Sequence, residues 1–86
     1  MINWDEEKND KLKKHRGVSF EDIEEAIYGN NIIDVVYHNK IKYPQQKSYI
    51  VKVWNYIYYV PFVRDEKWIF LKTIIPSRKY KKLYNL

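Results

Sequence analysis

The segment "KSYIVKVWNYIYYVPFV", residues 47–63, decides the fold class of this 86-residue chain. Its first part, residues 47–54, carries on one face Tyr49, Val51 and Val53. A period of two residues is typical of a strand with one buried face. Residues 56–63 are apolar on both faces, as in a central strand, although Pro61 favours a bulge or a strand end. The short connection between the two parts predicts an antiparallel pair.

Two more strands flank this pair in the sequence. "IIDVVYH" (32–38) and "WIFLKTII" (68–75) are rich in β-branched and aromatic residues. A polar loop, residues 38–46, and a charged hairpin turn, residues 64–67, join them to the pair. We therefore predict a four-stranded antiparallel meander over residues 32–75.

A polar helix is predicted near the N-terminus, over residues 5–14. It is charged on nearly every side, and the candidates to face inward are Trp4, Leu12 and His15. Gly17 breaks it.

A second, amphipathic helix follows. Ser19 and Asp22 have the spacing of a capping box, and Gly29 provides a stop after Tyr28. Its apolar stripe consists of Phe20, Ile23 and Ile27. Together these elements predict one α+β domain over residues 1–86: two N-terminal helices, a four-stranded antiparallel meander, and a short basic C-terminal helix or tail.

The residue types present narrow the chemistry that this chain can perform. It has no cysteine, and its two histidines, His15 and His38, lack ligand-type spacing to a partner, so we predict no metal site. Two glycines, Gly17 and Gly29, cannot build a phosphate-cradling loop, so we predict no nucleotide cofactor. The lack of cysteine fits a cytoplasmic protein, and the charged N-terminal segment and the lack of a long apolar run predict neither a signal peptide nor a membrane span.

Charge is distributed unevenly along the chain. Residues 1–37 carry nine acidic and five basic side chains, a net charge of −4, whereas residues 38–86 carry two acidic and eleven basic ones, a net charge of +9. Such a split suits a polyanionic partner such as nucleic acid. Ordinary solvated lysines explain it equally well.

Cations and aromatic rings suit the cleavage of RNA, because RNA carries its own nucleophile in the 2′-hydroxyl group. The protein has to orient that group, neutralise the growing charge on phosphorus and move protons. Aromatic side chains can stack unpaired bases. The residues of these types in the C-terminal half that we select are Lys47, Lys72, Arg78, Lys79 and Tyr80.

Several candidates also have a purely structural explanation. Lys72 can simply face solvent, Arg78 can pair with a helix carboxylate, and Lys79 can belong to a solvated charge run. Trp4 can anchor the first helix in the core rather than stack a base. Residue spacing alone does not decide between these alternatives.

The two ends of the chain resemble a known family. "INWDEEKNDKLKKHRGVSFEDIEEAI" (2–27) is similar to the N-terminal signature of the BrnT-like toxins of bacterial type II toxin–antitoxin systems, and "LKTIIPSRKYKKLY" (71–84) is similar to their closing segment. Arg16, inserted before Gly17, and the loop "KIKYPQQK" (40–47) look closer to a related branch. The residues that carry the likeness are Trp4, Asp5, Lys8, Asn9, Lys14, His15, Gly17, Val18, Ser19, Phe20, Ser77, Arg78, Lys79 and Tyr84.

The resemblance implies a RelE-like fold, a metal-independent ribonuclease that arrests growth, and a cognate antitoxin that neutralises it in a hetero-oligomer. It implies catalytic roles for Lys47 and Arg78, which would then have to meet over one patch of the sheet. Trp4 is the aromatic match, and the expected contacts to RNA are Trp4, Lys72, Lys79 and Tyr80.

Two alternatives stay open at this point. The protein can be a non-catalytic RNA-binding module, or an interaction domain whose basic half docks an acidic partner helix. It also stays open whether His38, Lys42 or Tyr43 of the polar loop belongs to the site.

Overall fold

Six β-strands and three α-helices make up the part of the chain that the computed structural model describes, residues 1–38, 41–42 and 46–83. In chain order they are β1 (Ile2–Trp4), α1 (Glu6–Arg16), α2 (Phe20–Tyr28), β2 (Ile32–Tyr37), β3 (Gln46–Val53), β4 (Tyr56–Arg64), β5 (Ile69–Leu71), β6 (Ile75–Pro76) and α3 (Arg78–Leu83). The strands form one mixed sheet in the order β1-β5-β4-β3-β2, and β6 pairs with β4. The predicted α+β class is confirmed.

The β3–β4 hairpin is the centre of this sheet. Its register runs from Gln46 opposite Val63 to Val53 opposite Tyr56, so only two residues form the turn. The face predicted to be buried packs against α1 and α2 in one apolar cluster. The cluster members from the hairpin are Tyr49, Val51, Val53, Tyr58, Val60 and Phe62, and those from the helices are Leu12, Phe20, Ile23 and Ala26.

A first correction concerns the N-terminus, where no strand was predicted. Ile2–Trp4 forms β1 and pairs in parallel with Ile69–Leu71. The main-chain N–H of Ile69 donates to the carbonyl oxygen of Met1 (2.8 Å). Three residues are too few to display a period of two, so the sequence carried no strand signal here. The sheet is therefore mixed, and β1 forms the edge beyond the predicted meander.

A second correction concerns the fourth predicted strand, 68–75, which is divided into β5 and β6. Both pieces pair with β4, on either side of Pro61. Pro61 stays inside β4 opposite Ser48, and its carbonyl oxygen accepts from the N–H of Lys72 (2.8 Å). The N–H and C=O of a strand residue point to the same side. The missing N–H therefore faces the irregular stretch 72–74, and β3 loses no hydrogen bond to it.

The predicted glycine stops end both N-terminal helices, and the predicted capping box starts the second, while α1 runs to Arg16, two residues beyond its predicted end. Asp5 accepts from the N–H groups of Glu7 and Lys8 at the start of α1, and Gly17 ends that helix with a φ of +67°. The capping box of Ser19 and Asp22 starts α2, with both of its hydrogen bonds present.

The inward face of α1 differs from the prediction. Leu12 is buried as expected, but His15 is exposed, and Asn9 is fully buried instead. The Oδ1 of Asn9 accepts from the N–H of Phe20 (2.8 Å), and its Nδ2 donates to Glu21 (2.5 Å). A polar residue thus joins α1 to the start of α2.

The C-terminal basic segment forms α3, as one of the two predicted alternatives had it. Within the described ranges, no helix has the length and apolar character needed to cross a membrane.

Candidate nucleic-acid interface

The sheet has a second face, which points away from α1 and α2 and is called the distal face below. Side chains alternate along a strand, so the neighbours of the core residues of β3 and β4 lie on it. Ile50 and Ile57 are completely buried there although they lie outside the apolar cluster that contains α1 and α2. The helix α3, which contacts β4, covers part of this face.

A histidine and two hydroxyl groups form a polar cluster on the distal face. The Nε2 of His38 lies 3.0 Å from the Oγ of Ser48 and 2.9 Å from the hydroxyl of Tyr59. Ser48 is fully buried, whereas His38 is exposed at the end of β2. Because Nε2 reaches two hydroxyl groups, a proton can pass between the imidazole and either of them.

An aromatic stack extends this cluster towards α3. The rings of Tyr59 and Tyr80 are nearly parallel, with an interplanar angle of 8° and a centroid distance of 6.1 Å. The Nζ of Lys79 lies 5.4 Å from the centre of the Tyr80 ring. Two of the predicted RNA contacts, Lys79 and Tyr80, therefore lie beside the histidine cluster.

Lys72 belongs to the same face. Leu71 pairs with Phe62 and is buried in the core, and the N–H of Lys72 bonds to Pro61 in the next position of that register. Because consecutive side chains of an extended chain alternate, Lys72 points to the distal face. It is exposed there, two strands away from Ser48.

Two predicted site residues lie on the opposite, core face of the sheet. Lys47 lies between Tyr37 and Phe62 in the register, and its Nζ lies 5.1 Å from the centre of the Tyr37 ring. Trp4 stacks on Phe20 with a centroid distance of 5.7 Å, so it packs against the core as its structural explanation required. Neither side chain takes part in the cluster around His38.

Arg78 lies at the far end of β4 from Lys47. The N–H of Ser77 donates to the carbonyl oxygen of Ile57 (3.0 Å), and Lys47 lies opposite Phe62. These two positions of β4 are separated by five residues, or about 16 Å. Lys47 and Arg78 therefore do not meet over one patch of the sheet, contrary to expectation. The distance between Lys47 and Arg78 follows from the strand register, which the sequence alone does not give.

A separate concave pocket contains Arg78. It has a volume of about 520 Å³ and is lined by Tyr56, Arg78, Lys81 and Lys82. The ion pairs among the described residues are Lys11–Glu7 and Lys13–Glu21, so the predicted alternative of a salt bridge from Arg78 to a helix carboxylate is not present there.

The candidates from the polar loop differ in whether the structure places them in the site. His38, which the sequence left open, lies in the cluster. Lys42 is exposed in a turn, while Tyr43 and the family-like Tyr84 lie outside the described residues. Ser48 and Tyr59 were missed, because neither was among the predicted site residues. Both residues place a polar group on the same face of adjacent strands, and this alternation is the sequence signal that could have identified them.

Two other tyrosines have a perturbed pKa. Burial raises the pKa of Tyr49 and that of Tyr58 above the ordinary value of 10.0. Both lie on the core face. In the described part of the chain, no three histidine or acidic side chains come together as ligands for a metal ion.

Comparison of the chain with the models of known protein families, with curated proteins and with solved structures finds no match. The distal face offers a proton-transfer group, hydroxyl groups, an aromatic stack and two exposed cations within one region.

Proposed function

We propose that the protein is a metal-independent ribonuclease toxin and that the distal face is its RNA site. The observation that carries this proposal is the contact of His38 Nε2 with the hydroxyl groups of Ser48 and Tyr59, beside Tyr80. A RelE-like fold, a cytoplasmic location and a cognate antitoxin protein belong to the same proposal through the family resemblance.

The reaction is an in-line displacement within the RNA strand. The 2′-oxygen attacks the adjacent phosphorus while the bond from phosphorus to the 5′-oxygen breaks, which leaves a 2′,3′-cyclic phosphate and a 5′-hydroxyl end. His38 takes the proton of the 2′-hydroxyl, and Tyr59 donates a proton to the departing 5′-oxygen. The imidazolium then returns a proton to Tyr59 through their hydrogen bond.

Binding and charge stabilisation are assigned to the side chains around that pair. Lys72 and Lys79 neutralise the phosphate that acquires charge in the transition state. Tyr80 stacks a base that is splayed out of the strand. The buried Ser48 holds the imidazole in place through its hydroxyl group.

The test is cleavage of RNA in the presence of EDTA by variants of the proton-transfer pair. His38→Gln and Tyr59→Phe should lower the rate about 10²- to 10⁴-fold with little change in melting temperature. The matched controls are His15→Gln and Tyr28→Phe, because both residues are exposed and lie on the helices. Growth after induction, with and without the adjacent gene, should follow the same ranking.

Three outcomes contradict the proposal or part of it. Salt-sensitive RNA binding without any cleavage indicates a non-catalytic RNA-binding module. Harmless overexpression, weak RNA affinity and tight binding of an acidic helix indicate a protein-interaction domain. Cleavage that is equal in the His38 and His15 variants removes the proton-transfer role of His38.

A further inference from the structure

The pocket around Arg78 gathers positive charge, and no carboxylate among the described residues pairs with it. Arg78, Lys81 and Lys82 line it together with Tyr56. No ion pair joins any of these three cations to a carboxylate within the ranges 1–38, 41–42 and 46–83. Three like charges around one concavity repel each other, and a bound anion would remove that repulsion.

One of the cations is held in place before any ligand arrives. The Nζ of Lys81 lies 4.7 Å from the centre of the Tyr56 ring, in a cation–π contact. Lys81 is half-buried, unlike Lys82 and Arg78. Ordering a lysine in advance lowers the entropic cost of gripping a ligand.

The pocket and the histidine cluster lie on opposite sides of α3. At about 100° per residue, positions 78, 81 and 82 fall within one arc of the helix, and position 80 falls on the other side. Tyr80 stacks on Tyr59 of the distal face, whereas Lys81 reaches Tyr56, which packs against the core cluster. A ligand that occupies both regions has to pass across α3.

We propose that the pocket of Tyr56, Arg78, Lys81 and Lys82 is a second phosphate subsite, which grips a non-scissile phosphate of single-stranded RNA. This subsite depends on the proposed function in one respect, namely that RNA is the ligand. The arginine fork and two ammonium groups match phosphate oxygens. The volume of about 520 Å³ accommodates a phosphate with part of its nucleotide. This subsite selects extended strands over dinucleotides.

The experiment measures binding separately from cleavage. The probes are 2′-O-methyl RNA strands of two and ten nucleotides, which cannot be cleaved because they lack the 2′-hydroxyl. Lys81→Gln/Lys82→Gln should weaken binding of the long strand about tenfold, lower the salt slope by about 0.7, and leave the dinucleotide unaffected. The control is Lys14→Gln/Lys67→Gln, which removes the same charge from two exposed sites outside the pocket.

The outcomes separate this inference from the ribonuclease proposal. If the wild type cleaves RNA and both double variants bind the long strand equally, the subsite is refuted and the nuclease stands. If no RNA is cleaved but the pocket variant alone loses affinity and slope, the subsite stands and the nuclease fails. If a poly-glutamate peptide of equal charge displaces the long strand from wild type more readily than unlabelled strand does, the pocket takes acidic protein and the inference fails.

Discussion

Replacing Asn9 by alanine should destabilise the fold far more than its place on a polar helix implies. The side chain is completely buried between α1 and α2. Its Oδ1 accepts from the buried N–H of Phe20, and its Nδ2 donates to Glu21. Phe20 is the first residue of α2, where the helix itself provides no acceptor for an N–H group.

The magnitude follows from what the substitution leaves behind. A buried N–H without an acceptor costs about 1–3 kcal/mol. The space vacated by the amide adds about 1 kcal/mol of lost packing. The free energy of unfolding should therefore fall by about 2–4 kcal/mol, which lowers Tm by about 10–25 °C in a domain of this size.

Urea unfolding followed by far-UV circular dichroism measures this loss. Glu21→Gln is the matched control, because it removes the charge at the exposed end of the same hydrogen-bond chain and leaves Asn9 Oδ1 bonded to Phe20. That control should cost less than about 1 kcal/mol. A loss below about 0.5 kcal/mol for Asn9→Ala would refute the reasoning, since the Phe20 N–H would then have found another acceptor.

Two further predictions concern the turn of the central hairpin and the stability at low pH. Trp54 has a φ of +57° in the β3–β4 turn and is 69% exposed. Trp54→Gly should therefore raise the free energy of unfolding by about 0.5–1 kcal/mol, because glycine relieves the left-handed strain. The control is Trp68→Gly, at an exposed tryptophan whose φ is not positive, and it should lower the free energy of unfolding in the same urea titration. The hydrogen bond from Asn9 lowers the pKa of Glu21 below its ordinary value of 4.5. The folded state therefore gains stability from the ionised Glu21 above pH 4.5 and loses it as the pH falls through the lowered pKa. The stability difference between wild type and Glu21→Gln should accordingly shrink in acid unfolding curves below pH 4.5, and a difference that stays constant would contradict the assignment.

Local signals predicted those elements whose stability is decided locally. The capping box at Ser19 and the glycine stops need only a few neighbouring residues, and the alternation over 47–54 needs only one buried face. β1 escaped prediction because its three residues are stabilised by pairing with Ile69–Leu71, at the other end of the chain. The division of the fourth strand likewise depends on Pro61 of its neighbour, a contact that no window of sequence contains.

The sequence predicted the position of a candidate site residue only where both its residue type and the sheet face on which it lies could be inferred. Lys72 was selected for its residue type and its exposure, and the structure places it, exposed, next to Pro61 on the distal face. Lys47 had the residue type that RNA chemistry needs, but the alternation that made β3 recognisable also puts it on the core face. The contact of His38 with Tyr59 joins strand positions that are not opposite each other, so even the register would not have predicted it.

The uneven charge along the chain acquires a spatial meaning from the order of the elements. The acidic helix α2 packs on the core face of the sheet, and the basic helix α3 contacts β4 and stacks Tyr80 over the distal face. The negative charge of α2 therefore lies on the core side of the sheet, whereas Lys79 lies beside Tyr80 on the distal side. A polyanion approaching the molecule is repelled from α2 and attracted to α3, and under the proposed function this field would direct RNA towards Tyr80 and His38. This steering predicts that the association rate of RNA, more than its dissociation rate, falls as salt is added.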